Sequence, residues 1–284
     1  MTSSPDSRNR TLLKRVIVGV IFIPVLVWIF WSGGFPLFLF LVIINAFGQW
    51  ELYRMFSHRL RLPHRLAGFL AGLLIIMCTS YSYDDYIPAV LVISCIAYSI
   101  IEILSGKENR LETIALSLFS TVYPSLFIIF LIKIGGLRYY PGFAIGRYVL
   151  LYVLTVIWTF DTMSFFAGRF WGKHPFFPTV SPKKTLEGFW GGVISVILVS
   201  VVAGQLAGNT YRFHVVVLSL LIMLSAQAGD LAESLIKRDR GVKDSSHLIP
   251  GHGGILDRFD SLFFAGPVAY FYIVLVLHFT GGHT

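Results

Sequence analysis

Long apolar stretches separated by short polar segments run through almost the whole chain. A helix needs roughly 20 predominantly apolar residues to cross a bilayer, and no alternating strand pattern or internal repeat interrupts the stretches. The pattern therefore predicts an all-α integral membrane protein, a polytopic bundle of about nine transmembrane helices. The predicted spans cover residues 16–31, 36–54, 66–82, 86–104, 113–136, 148–170, 187–208, 213–236 and 256–279.

Basic residues are distributed unevenly among the loops between these stretches. If the N-terminus is cytoplasmic, 19 of the 23 Lys and Arg residues fall on the cytoplasmic side, and only Lys133, Arg138, Arg147 and Arg212 fall outside. Cytoplasmic loops of membrane proteins carry such an excess of Lys and Arg. The sequence therefore predicts a multi-pass protein of the cell membrane with its N-terminus, and the polar loops 171–186 and 237–256, on the cytoplasmic face.

The composition fits the same class of protein. Charged residues make up 13% of the 284 residues, whereas soluble domains carry roughly 25%. We interpret residues 1–284 as a single membrane domain, with an N-terminal helix bundle over 1–145 and a part over 146–284 that carries the charged motifs. The net charge of +8 suits contact with membrane lipids. Basic residues are not interleaved with aromatic residues on a polar face, so no nucleic-acid partner is predicted.

Charged residues concentrate in the segment 234–260, between the last two apolar stretches. Charge at a membrane boundary is costly unless it is solvated, paired or bound to a metal. Asp257 and Asp260 share one helical face because of their spacing, and Asp230 precedes the segment. Carboxylates beside Lys and Arg suit Mg²⁺ that also binds phosphate oxygens, so the cluster predicts a divalent-cation site. The alternative is boundary salt bridges with the basic residues Lys237, Arg238 and Arg258.

The glycine-rich turn at 250–254 is a candidate phosphate-binding segment. Free backbone N–H groups near a helix start attract anions, and Gly253 and Gly254 allow close approach of a ligand. His252 beside such a site would act as a hydrogen-bond donor. An ordinary turn between two spans explains the same residues equally well.

A second candidate is the stretch that begins at Ser181. Ser181 followed by proline is typical of a helix N-cap, which would place Lys183, Lys184 and Thr185 at a phosphate-attracting helix N-terminus. Gly188 and Gly192, four residues apart, predict a small face for close helix packing. For the lysines, snorkelling to the membrane surface is the alternative.

Asp161 lies inside the sixth apolar stretch, where an acid must face a cavity or a partner. Arg169 follows eight residues later on roughly the same helical face. The sequence leaves open whether the two form a structural ion pair or a polar wall of an active site.

The segment 234–260 resembles the signature of the CDP-diacylglycerol synthases, also called phosphatidate cytidylyltransferases. That signature is Ser, two residues, Lys-Arg, four residues, Lys-Asp, a short gap, His-Gly-Gly, an apolar residue, one residue, Asp-Arg, an apolar residue and Asp. The SPKKTLEG and DTMSFFAGRFWGK stretches are similar to family segments as well, and together these matches cover about the C-terminal 130 residues. The matching residues of this chain are Ser234, Lys237, Arg238, Lys243, Asp244, Ser246, Pro250, His252, Gly253, Gly254, Ile255, Asp257, Arg258, Phe259 and Asp260.

The resemblance implies that the phosphate of phosphatidic acid attacks the α-phosphorus of CTP, giving CDP-diacylglycerol and pyrophosphate. It implies Mg²⁺, a monovalent cation such as K⁺ beside it, and a homodimer. Asp230 and Asp257 would be metal ligands. Asp260 would be a metal ligand or would contact a residue that is one, and His252 would donate a hydrogen bond to the departing pyrophosphate. The residues expected to hold phosphates of CTP or lipid are Ser181, Lys184, Thr185, Lys237, Arg238, Lys243, Gly253, Gly254 and Arg258.

Two other functions are compatible with parts of the pattern. A CTP-dependent lipid kinase would use similar residues but release CDP instead of pyrophosphate. An ion-coupled transporter could use Asp161 and Asp230, but it needs a polar path to the outer face. The outer half offers only Asp84, Asp85 and scattered arginines near the loops, which argues against transport.

Overall fold

The computed structural model describes residues 20–58, 60–105, 110–139, 143–249 and 253–279. Helices account for most of these residues, and the strands form two short antiparallel hairpins in loops between helices. The helices are α1 (Val20–Ser32), α2 (Gly34–Met55), α3 (Leu62–Ser80), α4 (Ile87–Ser105), α5 (Arg110–Gly136), α6 (Gly146–Trp171), α7 (Leu186–Ala207), α8 (Arg212–Asp239) and α9 (Leu256–Phe279). The strands are β1 (Arg138–Tyr139), β2 (Phe143–Ala144), β3 (Pro175–Phe177) and β4 (Ser181–Thr185).

Within the described residues, the eight helices α2 to α9 are long and apolar enough to cross a membrane. This confirms the prediction of an all-α polytopic membrane protein. The predicted bounds differ most at α3, which begins at Leu62 because Pro63 occupies its first turn, where proline costs no hydrogen bond. The first predicted span is described only from Val20 onward, as α1.

The chain divides into two compact units. The first contains the residues up to Ile132 together with Val242–Arg258, and the second contains Lys133–Gly241 together with the residues from Phe259 onward. The segment that precedes α9 therefore belongs to the first unit, although it lies far along the sequence. The interpretation of residues 1–284 as a single domain stays a prediction.

Buried polar side chains join helices of the first unit. The Gln49 amide donates to Ser125 Oγ at 3.0 Å, and Ser125 Oγ lies 2.8 Å from Asn45 Oδ1. The Tyr98 hydroxyl lies 2.6 Å from Thr121 Oγ1, which also contacts Tyr53 at 3.3 Å. Polar groups in the interior of a bilayer cannot form hydrogen bonds to water, so these side chains satisfy one another instead. We call these six residues the polar seam: Asn45, Gln49, Tyr53, Tyr98, Thr121 and Ser125.

In the second unit, α7 packs closely against α6 through glycines. A Cβ atom at Gly192 would overlap Ser164 Oγ and the Phe160 ring, and one at Gly188 would lie 2.7 Å from the Ser164 carbonyl oxygen. The predicted small face of α7 is therefore confirmed. This close contact holds the cytoplasm-predicted ends of α6 and α7 side by side, where the charged residues lie.

Candidate active site

The β3–β4 hairpin, which we call the basic hairpin, presents lysines at the start of α7. Ser181–Thr185 is a strand whose register pairs Phe177 with Ser181 and Pro175 with Thr185. The predicted N-cap at Ser181 is therefore wrong: strand pairing keeps that backbone extended, and α7 begins only at Leu186. Thr185 is the N-cap, and its hydroxyl accepts from the Gly188 N–H at 3.1 Å.

The carboxylate of Glu187, in the first turn of α7, fixes the other end of the hairpin. It accepts hydrogen bonds from the backbone N–H groups of Lys173 and His174 at 3.0 and 3.2 Å, and Glu187 Oε1 lies 2.6 Å from His174 Nδ1. The hairpin is thus tied to α7 at both strands, which limits its movement relative to that helix.

A cavity of about 420 Å³ opens beside the basic hairpin within the second unit. Its wall combines charged groups with aromatic rings from α6, α7 and the hairpin. A pocket of this kind, apolar with a few convergent polar groups, is typical of a small-molecule site. The lining residues are Phe160, Asp161, Ser164, Phe165, Gly168, Arg169, Phe176, Lys183, Lys184, Thr185, Gly188, Phe189, Gln227 and Asp230.

Lys184 and Asp230 meet in this cavity. Lys184 Nζ lies 2.5 Å from Asp230 Oδ2, and both side chains are only partly exposed. Lys184 therefore reaches into the cavity. Asp161 and Arg169 also line the cavity, which favours the polar-wall interpretation of Asp161.

Close packing of α8 against α9 places Asp230 near Asp260. A Cβ atom at Gly229 would overlap the Asp260 carbonyl oxygen, so the two backbones touch one residue away from Asp230. Asp260 is 9% exposed, and Asp230, Asp161 and Lys237 are charged groups that interact with its carboxyl electrostatically. In the second unit, Asp230 therefore lies between the Lys184 ammonium on one side and the backbone of Asp260 on the other.

The loop before α9 is held by two carboxylates of the first unit. Asp257 Oδ2 accepts from the Gly254 N–H at 2.8 Å, from the Ser245 N–H at 3.0 Å and from Ser245 Oγ at 2.9 Å. Gly253 has φ +84°, a left-handed conformation that favours glycine, and its carbonyl accepts from the Ile249 N–H at 2.9 Å. The second carboxylate is that of Glu51 on α2, a residue that no sequence motif indicated.

The predicted phosphate-binding basic residues have varied surroundings. Lys237 is 8% exposed and forms an ion pair with Glu233 at 2.5 Å. Arg238 Nε donates to the Val180 carbonyl in the basic hairpin at 3.4 Å, and Lys243 is exposed. Phosphate contacts by these residues, and by Arg258, stay predictions. His252 lies outside the described residues.

Sequence patterns missed two polar groups of the cavity wall. Ser164 Oγ and Gln227 Nε2 are buried and make no hydrogen bond within the part of the chain that the structure describes. A buried donor without a partner is costly, so a polar ligand in the cavity would satisfy them. In the sequence, Ser164 and Gln227 are isolated polar residues within apolar spans. Such residues are common, so they did not indicate a site.

Comparison with known proteins gives a consistent result. The model of the cytidylyltransferase family matches residues 13–276, well beyond the C-terminal segments that carry the sequence resemblance. The chain is 34% identical over 261 residues to a protein of Staphylococcus haemolyticus named phosphatidate cytidylyltransferase, covering 90% of this chain and 95% of that protein. Proteins of the same name from Staphylococcus epidermidis and Staphylococcus aureus are each 33% identical, with the same coverage.

Proposed function

The chain belongs to the cytidylyltransferase family, and from that premise we propose that it makes CDP-diacylglycerol from CTP and phosphatidic acid. A phosphate oxygen of the lipid attacks the α-phosphorus of CTP. The bond from that phosphorus to the oxygen bridging the β-phosphate breaks, and pyrophosphate leaves. The observation that carries this proposal is the pairing of Lys184 with Asp230 in a cavity lined by further basic residues and aromatic rings.

Positioning and charge neutralisation are the main tasks in such a transfer. The attacking lipid phosphate is already anionic, so no strong general base is needed. Lys183, Lys184 and Arg169 neutralise phosphates, while the aromatic rings of the wall offer surfaces for the cytosine ring. Ser164 and Gln227 supply polar atoms to the same ligand. The cavity wall can therefore bind both the charged phosphates and the flat cytosine ring of one nucleotide.

The donor set of the second unit fits Mg²⁺. Asp230 and Asp260 offer carboxylate oxygens, which this hard cation prefers, and Mg²⁺ is usually bound by one or two carboxylates plus substrate phosphates. Among the described residues, no group of three or more His, Cys, Asp or Glu side chains is placed to hold a metal by itself. When bound, Mg²⁺ would neutralise charge on the triphosphate. Asp257 as a ligand, the monovalent cation and the homodimer stay predictions.

The site is proposed to face the cytoplasm of a bacterial cell, in the cell membrane. The distribution of Lys and Arg between the loops supports that orientation, and the named relatives are bacterial. A site at this boundary lets the two-tailed lipid stay in the bilayer while its headgroup meets a water-soluble nucleotide.

The product assay decides between the proposed reaction and a lipid kinase. Purified protein in mixed micelles receives phosphatidic acid, Mg²⁺ and CTP, and both the lipid product and the phosphate product are quantified. We expect equimolar CDP-lipid and pyrophosphate, and loss of both on addition of EDTA. CDP release with a more phosphorylated lipid would identify a kinase and overturn the proposal.

Lys184→Ala is expected to raise KM for CTP or for phosphatidic acid by about tenfold, because a charge-assisted phosphate contact is lost. Steady-state kinetics with each substrate varied in turn measure the effect. Lys173→Ala is the matched control, since Lys173 lies just beyond α6 and outside the cavity lining. Equal KM values for wild type and Lys184→Ala would contradict a substrate-binding role for Lys184.

A further inference from the structure

Glu51 is a carboxylate fully buried at the end of α2, with 0% exposure. Four donors contact it, two at each oxygen. Oε1 accepts from Ser246 Oγ at 2.5 Å and from the Ile255 N–H at 2.8 Å. Oε2 accepts from Ser245 Oγ at 2.9 Å and from the Leu256 N–H at 2.8 Å. A buried charge is tolerated only when it is satisfied in this way.

These donors have a shared location. Two of them are the hydroxyls of Ser245 and Ser246, and the other two are the N–H groups of Ile255 and Leu256, where α9 begins. The N–H groups at the start of a helix have no partner within the helix, and a negative charge there is favourable. Glu51 therefore caps α9 from another helix, across about 200 positions of sequence.

Ser245 connects Glu51 to Asp257. Its hydroxyl lies 2.9 Å from Glu51 Oε2 and 2.9 Å from Asp257 Oδ2, so one proton is shared between two carboxylates. Its backbone N–H donates to the same Asp257 oxygen. Any shift of Ser245 relative to Glu51 would move the Asp257 carboxylate as well.

Packing of α2 fixes the direction in which Glu51 points. A Cβ atom at Gly48 would lie 3.3 Å from the Leu256 side chain and 3.5 Å from Pro124, so α2 approaches the start of α9 closely there. On either side of Glu51, Gln49 and Tyr53 are bound into the polar seam. The helix can neither rotate nor withdraw without breaking these contacts.

We propose that Glu51 is a positioning residue for the transfer reaction: it holds residues 245–246 and the start of α9 so that Asp257 is presented in one orientation. This inference rests on the proposed function, because it assigns Glu51 a task in that reaction. Glu51 itself does not touch the reacting atoms. It connects α2, near the beginning of the chain, to the charged segment 234–260.

Glu51→Gln tests this role with almost no change of shape. Both oxygens accept from a backbone N–H, so either orientation of the amide turns its NH₂ group toward one of these donors. We expect kcat to fall by about tenfold or more, as for residues that orient a functional group, while KM for CTP changes little. A second readout is trypsin cleavage after the exposed Lys243, which we expect to be about fivefold faster because the loop opens locally.

Glu102→Gln is the matched control. Glu102 is another buried carboxylate of the first unit, and its side chain contacts His64 Nε2 at 2.9 Å and Ser105 Oγ at 3.3 Å. Ser245→Ala is a milder second variant, and its effect on kcat should be smaller in the Glu51→Gln background than in wild type, because the two residues act together.

Two results would overturn the proposal. One is Glu51→Gln with wild-type kcat and wild-type protection at Lys243. The other is an equal loss of kcat in Glu102→Gln, which would make the effect a general one of removing buried charge. If wild-type protein forms no CDP-lipid, the proposed function fails, whereas the protection of Lys243 still tests whether Glu51 holds the loop.

Discussion

Asp257→Asn is expected to lower turnover by about a hundredfold or more, a loss typical of removing a preorganised polar group from a reaction site. One carboxylate oxygen of Asp257 accepts three hydrogen bonds from Ser245 and Gly254. An amide offers one acceptor in place of two and removes the negative charge from the first turn of α9. The amide oxygen can still accept from Ser245 and Gly254, so the substitution mainly removes the charge, and the loss of turnover tests the predicted role of that charge in metal binding.

Asp239→Asn is the control for this substitution. Asp239 lies in the same charged segment, but its side chain is 66% exposed and pairs with the adjacent Arg240. Circular dichroism and thermal unfolding of both variants separate loss of chemistry from loss of fold. Near-normal turnover of folded Asp257→Asn protein would show that Asp257 is not needed for the reaction.

Asp230→Asn is expected to cause a comparable loss of turnover, about a hundredfold or more. The substitution removes a proposed Mg²⁺ ligand, and it leaves the Lys184 ammonium in the cavity without the carboxylate 2.5 Å away. Product formation at saturating CTP, measured over a range of Mg²⁺ concentrations, is the appropriate assay. A shift of the Mg²⁺ dependence to higher concentration would accompany the loss if Asp230 binds the ion.

The double variant with Lys184→Ala distinguishes two roles of Asp230. If Asp230 only holds Lys184 in place, the double variant should be no slower than Lys184→Ala alone, because the two losses describe one interaction. If Asp230 also binds metal, the double variant should be slower than either single variant. Turnover of Asp230→Asn within about threefold of wild type would exclude both roles.

The spans were predictable because bilayer thickness alone sets their length. The small face of α7 was predictable too, since glycines four residues apart allow close helix contact. In both cases one local property of the sequence decides the structure. The charge pattern predicted both Asp230 and Lys184 as site residues. The ion pair between them could not be predicted, because they lie far apart in the sequence.

Contacts between distant segments could not be predicted. The N-cap motif at Ser181 is a local preference, and pairing with β3 overrides it. The alternative to a metal site was a salt bridge between Lys237 and an aspartate. In the structure, Lys237 forms an ion pair with Glu233, one helical turn away. Glu51 could have been flagged as an acid near the end of an apolar span, but its partners are separated from it by almost the whole chain.

Glu51 also has a consequence for the order of events during synthesis. Its carboxylate is made 204 residues before the Ile255 N–H that it binds, which at about 5–20 residues per second corresponds to a delay of roughly 10–40 s. During that delay the end of α2 must keep its acid in water at the membrane surface, or protonated, because the donors that stabilise its charge do not yet exist. The first unit therefore cannot be completed until residues 242–258 have been made. A nascent chain stopped before residue 255 would lack two of the four donors to this acid, the N–H groups of Ile255 and Leu256.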